Sequence, residues 1–255
     1  MDLGLTGKRA LIGGGASGIG RGIAGILHEE GAQTALIGRN SERVRAYAQE
    51  IAGVAVVIDL ATEAGPSSAV GMAVDQLGGL DILVVNSGGP PPGDFADLDE
   101  ETWAAAIEGT LQTSLRLIRA ALPHLRAGVN PAILINLSSS VREPIPGLLT
   151  SNVLRPALVG LIKSLTTEIA PIRINGVAPG RISTDRISML DRRRAEGANV
   201  SVEQIEQQTL ARIPLGRYGT VAEIGRVAAF LVSPAATYVT GQVVGVDGGM
   251  VRSLP

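Results

Sequence analysis

The stretch best suited to chemistry is Gly13-Gly14-Gly15-Ala16-Ser17-Gly18-Ile19-Gly20, between the apolar run Ala10-Leu11-Ile12 and the helical stretch Arg21 to Leu27. Strand, glycine turn and helix in that order make a cradle for a pyrophosphate. Glycine tolerates φ > 0 and lets backbone N–H groups approach closely, while the helix turns its positive end to the ligand. Two registers fit: G-x-G-x-x-G through Gly13, Gly15 and Gly18, and G-x-x-x-G-x-G through Gly14, Gly18 and Gly20. The ligand expected from this pattern is a dinucleotide, touched by Gly14, Ser17, Gly18, Ile19 and Gly20, although a tight turn without a ligand would use the same residues.

Further candidates stand where other apolar runs end. Gln33 to Ile37 reads as a second strand ending in Gly38-Arg39-Asn40. Dinucleotide folds often place an acid there for the ribose 2′-OH, whereas an arginine suits a 2′-phosphate. Arg39 and Asn40 therefore favour NADP(H) over NAD(H), with a solvated loop arginine as the alternative. Asp59 and Leu60 follow the run Val54 to Ile58; Asp59 suits an adenine edge or the N-cap of a helix from Thr62 onward. Asn86-Ser87-Gly88-Gly89 follows a buried run from Asp81, and Pro90-Pro91-Pro92 reads as a rigid connector. Ser138-Ser139-Ser140 follows Ala132 to Leu137, a placement open to capping or to catalysis.

The elements that must position these residues alternate strand and helix. Helices are expected over Arg21–Glu30, ended by Gly31, then Glu42–Ala52, about Pro66–Leu77, and Glu101–Leu125 with Trp103, Ile107, Leu111, Leu115 and Ile118 on its packing face. A helix over Val153–Ala170 is apolar nearly all round, which calls for cover by the sheet and by another subunit. A sixth strand, Ile172–Ala178, delivers Pro179, Gly180, Ile182 and Thr184, and a last helix from Val221 precedes a strand over Val243–Val246. The alternation predicts an α/β fold with a doubly wound parallel sheet, a single domain over residues 1–255 with ligands at the carboxyl ends of its strands. Residues 181–214, with Asp191-Arg192-Arg193-Arg194, are expected to form a lid over a substrate.

Composition excludes several classes. A net charge of −2 with scattered basic residues lacks the electrostatic footprint of a nucleic-acid binder. The chain has no cysteine, which removes disulfides, zinc–thiolate sites and thiol nucleophiles and fits a reducing cytoplasm. No apolar run reaches the length of a membrane span, and Met1 to Gly7 lacks a signal-peptide pattern, so a soluble cytoplasmic protein is expected. His28 and His124 have no partners at ligand spacing, and no metal site is expected.

Together these segments resemble the short-chain dehydrogenase/reductase family over nearly the whole chain. The landmarks are Gly14, Gly18 and Gly20; Asp59; Asn86-Ser87-Gly88-Gly89 in place of Asn-Asn-Ala-Gly; Ser138; Asn175 to Gly180; and Thr240-Gly241-Gln242 with Asp247-Gly248-Gly249. The resemblance implies a Rossmann-type fold, NAD(P) binding and a homo-oligomer, dimer or tetramer. It also implies a catalytic serine, a Tyr-x-x-x-Lys pair and a supporting asparagine. Ser138 matches the serine. The tyrosine position, fixed by the downstream Gly160 to Leu165, falls on Ser151, the lysine position on Arg155 and the asparagine position on Thr110.

These replacements change the chemistry. A serine hydroxyl is a far weaker acid than a phenol, and an arginine stays protonated; Arg155 can still bind ribose hydroxyls and stabilise a developing alkoxide beside Ser138. Pro156 is expected to delay the helix start to Val153–Arg155, so that Ser151 and Arg155 would not stack one turn apart. The function expected is an NADP(H)-dependent oxidoreductase acting on a small-molecule carbonyl or alcohol through Ser138, Ser151 and Arg155. Its proton would come from water, the substrate, Ser138, Ser151, Arg142 with Glu143, or Asp185. The alternative is a catalytically silent NADPH-binding homologue acting as a sensor or partner subunit. Arg181, Arg186 and Arg192 to Arg194 could attract an acidic substrate or a carrier phosphate, or lie on a solvated lid surface.

Overall fold

A computed structural model describes residues 2–253. Its core is one seven-stranded sheet: β1 (Arg9–Ile12), β2 (Gln33–Gly38), β3 (Val54–Val57), β4 (Ile82–Val85), β5 (Ala132–Asn136), β6 (Arg173–Pro179) and β7 (Val243–Val246). The order is β3-β2-β1-β4-β5-β6-β7 and every pairing is parallel, with Ile12 opposite both Leu36 and Val84. The order reverses between β1 and β4, which opens a crevice beyond their carboxyl ends.

Helices cover both faces because strands buried on two sides need two apolar layers. On one face α1 (Gly18–Glu29), α2 (Ser41–Glu50) and α9 (Val221–Val232) bury Ile23, Leu27, Val44, Ile224 and Ala228. On the other, α3 (Gly65–Leu77), α5 (Thr113–Arg126) and α6 (Leu149–Glu168) bury Val70, Leu117, Leu158 and Ile162. Helices α1 and α9 touch backbone to backbone: a Cβ on Gly22 would lie 2.4 Å from the Val221 carbonyl oxygen. At the far end from the crevice Asp81 ties β1 to β4. It accepts from Arg9 Nε and Nη2, both at 2.9 Å, and from the Val129 N–H at 2.8 Å. Burial opposes its ionisation, but Arg9 and the backbone donors prevail and hold the carboxyl at about 2.

Three expectations are corrected. The stretch Glu101–Leu125 is not one helix: α4 (Glu100–Ile107) runs through a π turn, Glu108–Gln112, into α5. There the Thr113 hydroxyl donates to the Glu108 carbonyl at 2.9 Å and that of Ser114 to the Thr110 carbonyl at 2.6 Å. One extra residue turns the later face by about 100°, so Leu117, Ile118, Ala121 and Leu125 enter the core while Ile107 is exposed. Asp59 caps no helix. Its Oδ1 accepts from the Ala61 N–H at 3.0 Å, and α3 starts later, with Ala64 at its cap position.

The third correction concerns Pro156, which lies inside α6; the helix begins at Leu149. A proline in a helix interior costs about 3 kcal/mol. Here its ring lies on the exposed side, while Leu154, Leu158 and Ile162 bury their side chains, worth about 1.5–3 kcal/mol each. Asn152 secures the first turn by accepting from the Ile145 N–H at 3.0 Å and donating to its carbonyl at 2.9 Å. Ser151 and Arg155 therefore do stack one turn apart, both buried.

Candidate active site

The glycine turn is wedged between two strands, with Gly13 N–H donating to Val84 and Gly15 N–H to Ile37. Gly14 and Gly18 take φ of +57° and +49°, the left-handed region that side chains disfavour. A Cβ on Gly14 would also stand 2.8 Å from Asn86 Nδ2. Asn86 is the centre of the site's scaffold: its Nδ2 donates to the Gly13 carbonyl and its Oδ1 accepts from Asn136 Nδ2, both at 2.8 Å. The Asn136 carbonyl accepts from Arg155 Nη1 at 2.6 Å. One chain of hydrogen bonds thus runs from the glycine turn across β4 and β5 to α6.

A cavity of about 750 Å³ opens over this scaffold. Its lining includes Gly14, Ser17, Gly18 and Ile19 from the glycine turn, Asn86, Ser87 and Gly88 after β4, Ser138 after β5, Ser151 and Arg155 on α6, and Pro179, Gly180, Ile182 and Thr184 at and beyond the end of β6. Ser17 occupies the cap position of α1 with no side-chain capping bond, which leaves its hydroxyl for a ligand. Gly20 does not line the cavity: a Cβ there would be 2.2 Å from the Gly14 carbonyl oxygen, so it brings α1 under the turn. A second pocket of about 480 Å³, sharing Gly14, Ser17 and Asn86 to Gly88, is lined by Arg39, Asn40, Asp59 and Leu60. Asn40 caps α2 through the Arg43 N–H at 2.8 Å. Arg43, a residue not expected from the sequence, lines both pockets; its position three beyond a capping asparagine was the available signal. Arg39 lies 3.7 Å from Asp59, an exposed and weak pairing that leaves the guanidinium open to another anion.

Ser138 heads a short turn after β5, its Oγ accepting from the Ser140 N–H at 3.1 Å. The partner of Ser151 is Ser140, with the two hydroxyls 3.1 Å apart. Three consecutive serines are equivalent in a sequence; the turn over Ser139–Val141 separates them. Arg155 Nε has no hydrogen-bond partner, and burial, then the charge of Arg186, pushes the guanidinium down to about 10. It is still a cation at neutral pH. Thr110 lines the second pocket and not the main cavity. None of the three tyrosines replaces the missing phenol: Tyr47 donates to the Arg21 carbonyl, Tyr218 to Asp191 at 2.9 Å, and Tyr238 faces solvent. Glu143 and Asp185 line the cavity, whereas Arg142 is exposed outside it.

Residues 181–214 contain α7 (Asp185–Ala198) and α8 (Val202–Leu210), and both helices contribute to the cavity wall, through Arg186 and Leu190 and through Gln208 and Thr209. Arg186 donates to the Gly89 and Pro90 carbonyls at 3.2 and 2.8 Å, and Arg193 reaches the Pro92 carbonyl at 3.4 Å. Arg181 pairs with buried Asp191 at 3.1 Å. Among the described residues no cluster of metal-ligating side chains occurs, and no helix is long and apolar enough to cross a membrane.

Comparison with known proteins agrees with this architecture. A family profile described as Enoyl-(Acyl carrier protein) reductase matches residues 14–251. The chain is 34% identical over 252 residues to the 3-oxoacyl-[acyl-carrier-protein] reductase FabG of Staphylococcus aureus, covering 95% of this chain and 98% of the relative. It is 33% identical over 264 residues to that of Aquifex aeolicus, covering 98% and 100%. Among solved structures, L-sorbose reductase from Gluconobacter frateurii complexed with NADPH and L-sorbose superposes with a TM-score of 0.92 at 32% identity over the whole of both chains. An NADPH-bound short-chain oxidoreductase from Pseudomonas aeruginosa, described as containing an atypical catalytic center, gives 0.87 at 28% identity, covering 98% of this chain and 99% of that one. Glycine turn, parallel sheet and these likenesses lead to one assignment: the chain belongs to the short-chain dehydrogenase/reductase family of oxidoreductases.

Proposed function

We propose that the protein is an NADP(H)-dependent oxidoreductase that reduces a small carbonyl compound or oxidises the matching alcohol, with Ser138, Ser151 and Arg155 at the reacting centre. The observation that carries the reading is the stacked, buried Ser151–Arg155 pair, tied through Asn136 and Asn86 to a glycine turn that a Cβ would fill. When bound, a nicotinamide dinucleotide supplies or accepts the hydride. Gly14, Ser17, Gly18 and Ile19 bind its pyrophosphate side, and Arg39 with Arg43 binds the 2′-phosphate through charge-assisted hydrogen bonds.

Charge that builds on the substrate oxygen is met by Arg155 and the Ser151 hydroxyl, in a site where water does not weaken them. Arg155 holds its proton, so the proton that neutralises the oxygen comes from water or the substrate. The lid over 181–214 closes the cleft. The protein works as a homo-oligomer, which covers Val153, half exposed on α6. A fluorescence titration with NADPH and NADH tests the cofactor assignment. NADPH is expected to bind at least 10-fold more tightly, and Arg39→Ala with Arg43→Ala to abolish the difference. Equal affinities would refute the 2′-phosphate assignment, and NADPH binding without turnover on any carbonyl would favour the catalytically silent reading.

A further inference from the structure

Of the seven arginines that line the cleft, only Arg181 forms an ion pair among the described residues; two of the others, Arg155 and Arg186, lie near enough for the charge of Arg186 to act on Arg155. Arg155 is 5% exposed; its Nη1 is engaged by the Asn136 carbonyl, and its Nε–H has no partner. Arg186, in the first turn of α7, donates to two carbonyls and lies flat on Gly89, where a Cβ would come within 2.2 Å of its Cζ. Neither forms an ion pair among the described residues, whereas Arg181 on the same wall pairs with Asp191. The two acids of the cavity do not reach them: Glu143 accepts from the Arg252 N–H at 3.4 Å, and Asp185 is exposed. The position of Arg186 adds to the imbalance, because the start of a helix already carries positive potential.

Burial lowers the basicity of both groups, which is the signature of charge held out of water without compensation. An anion relieves that cost. In the cofactor reading above, the phosphates of a dinucleotide go to the glycine turn, Arg39 and Arg43, of which Arg39 lines only the second pocket. Of the other cavity arginines, Arg193 and Arg194 make 3.4 Å hydrogen bonds to the Pro92 carbonyl and the Thr209 hydroxyl, whereas Arg155, one turn from Ser151, and Arg186 are the two whose basicity burial lowers and that have no ion pair.

We propose that the substrate is an oxo acid or its hydroxy acid counterpart, with its carboxylate seated on Arg186 and its reacting oxygen on Arg155. Ile145, Leu148, Leu190 and Met250 line the cavity as well and give the rest of the molecule an apolar wall. The assignment of the reacting oxygen rests on the oxidoreductase reading above; the carboxylate contact stands on the unpaired Arg186 by itself.

The test measures equilibrium binding of an unreactive pair, pentanoate and pentanamide, by calorimetry at constant ionic strength, with and without saturating NADPH. Pentanoate is expected to bind at least 10-fold more tightly than the amide in both conditions. Arg186→Gln, which keeps a donor for the Gly89 and Pro90 carbonyls but removes the charge, should weaken the acid by about 10- to 100-fold and leave the amide unchanged. Arg186→Lys, which keeps the charge, should recover part of the loss, and melting curves of both variants establish that they are folded. Equal binding of acid and amide, no binding of the acid, or an acid preference that survives Arg186→Gln would overturn the proposal. So would displacement of the acid by NADPH, which would give these cations to the cofactor. Failure of NADPH to bind would instead remove the oxidoreductase reading, while the acid–amide difference in the cofactor-free protein still decides this one.

Discussion

Replacing Arg155 by methionine is expected to stabilise the protein while disabling it. Burial and then the charge of Arg186 bring the guanidinium well below its ordinary value, to about 10. At about 1.4 kcal/mol per pH unit, the folded state disfavours the cation by roughly 3 kcal/mol relative to the unfolded chain. For a base whose pKa is lowered by folding, this cost is present in full below the folded value and fades only as pH climbs above about 10. At pH 7 all of it is carried. Methionine keeps most of the apolar stem and removes the charge. Against that gain, the Asn136 carbonyl loses the donor it holds at 2.6 Å, and an unsatisfied buried group costs about 1–3 kcal/mol. The balance is a stabilisation of about 0–2 kcal/mol, seen as a rise of a few degrees in Tm by circular dichroism. Turnover should fall by about 10²–10³ once the cation facing the substrate oxygen is gone. A variant less stable than the parent by more than about 1 kcal/mol would refute the argument, because Arg155 would then be a strut. Unchanged turnover would refute its place at the reacting oxygen.

The glycine turn offers a second test. Gly14→Ala puts a Cβ at φ +57° and 2.8 Å from Asn86 Nδ2, and should weaken dinucleotide binding at least 10-fold in a fluorescence titration. Asp81→Asn concerns stability alone. The carboxyl is held at about 2 against an ordinary 3.8, so its contribution of about 2 kcal/mol is full above pH 4 and is lost as pH falls from 4 to 2. Urea unfolding should find the variant weaker by roughly that amount at pH 7, with the gap closed near pH 2. Ser151→Tyr with Arg155→Lys restores a phenol one turn before a lysine on α6, directed into the cavity. Reduction of a ketone, followed by NADPH absorbance, should rise by about 10²–10⁴, and no gain in a folded variant would show that the missing acid does not limit the reaction.

The sheet and its glycine turn were legible in the sequence because their signals are local: apolar runs of four to seven residues, five of the seven ending in or followed directly by glycine, asparagine or proline where the chain must turn. The departures have tertiary causes. Pro156 argues by itself for a late helix start, and only the packing of Leu154, Leu158 and Ile162 and the clamp of Asn152 on Ile145 overrule it. The π turn depends on the hydroxyls of Thr113 and Ser114 finding carbonyls behind them, a pattern with no sequence period. The arginines of the lid look alike along the chain. In space Asp191 pairs with Arg181, the Pro92 carbonyl takes Arg193, and Arg186 bonds only to the Gly89 and Pro90 carbonyls, close enough for its charge to act on Arg155.

That distribution bears on whether the altered site is still used. A crevice that merely lost its reaction would tolerate neutral or solvent-exposed replacements at Ser151 and Arg155. Instead a cation is kept buried without a counter-ion, at a cost of roughly 3 kcal/mol in a fold whose whole stability is about 5–15 kcal/mol. The glycine at 89 gives a second cation room to lie beside it. An uncharged residue of similar volume at 155, such as methionine, would leave a protein at least as stable, so the arrangement is accounted for by an anion that binds there and offsets the charge.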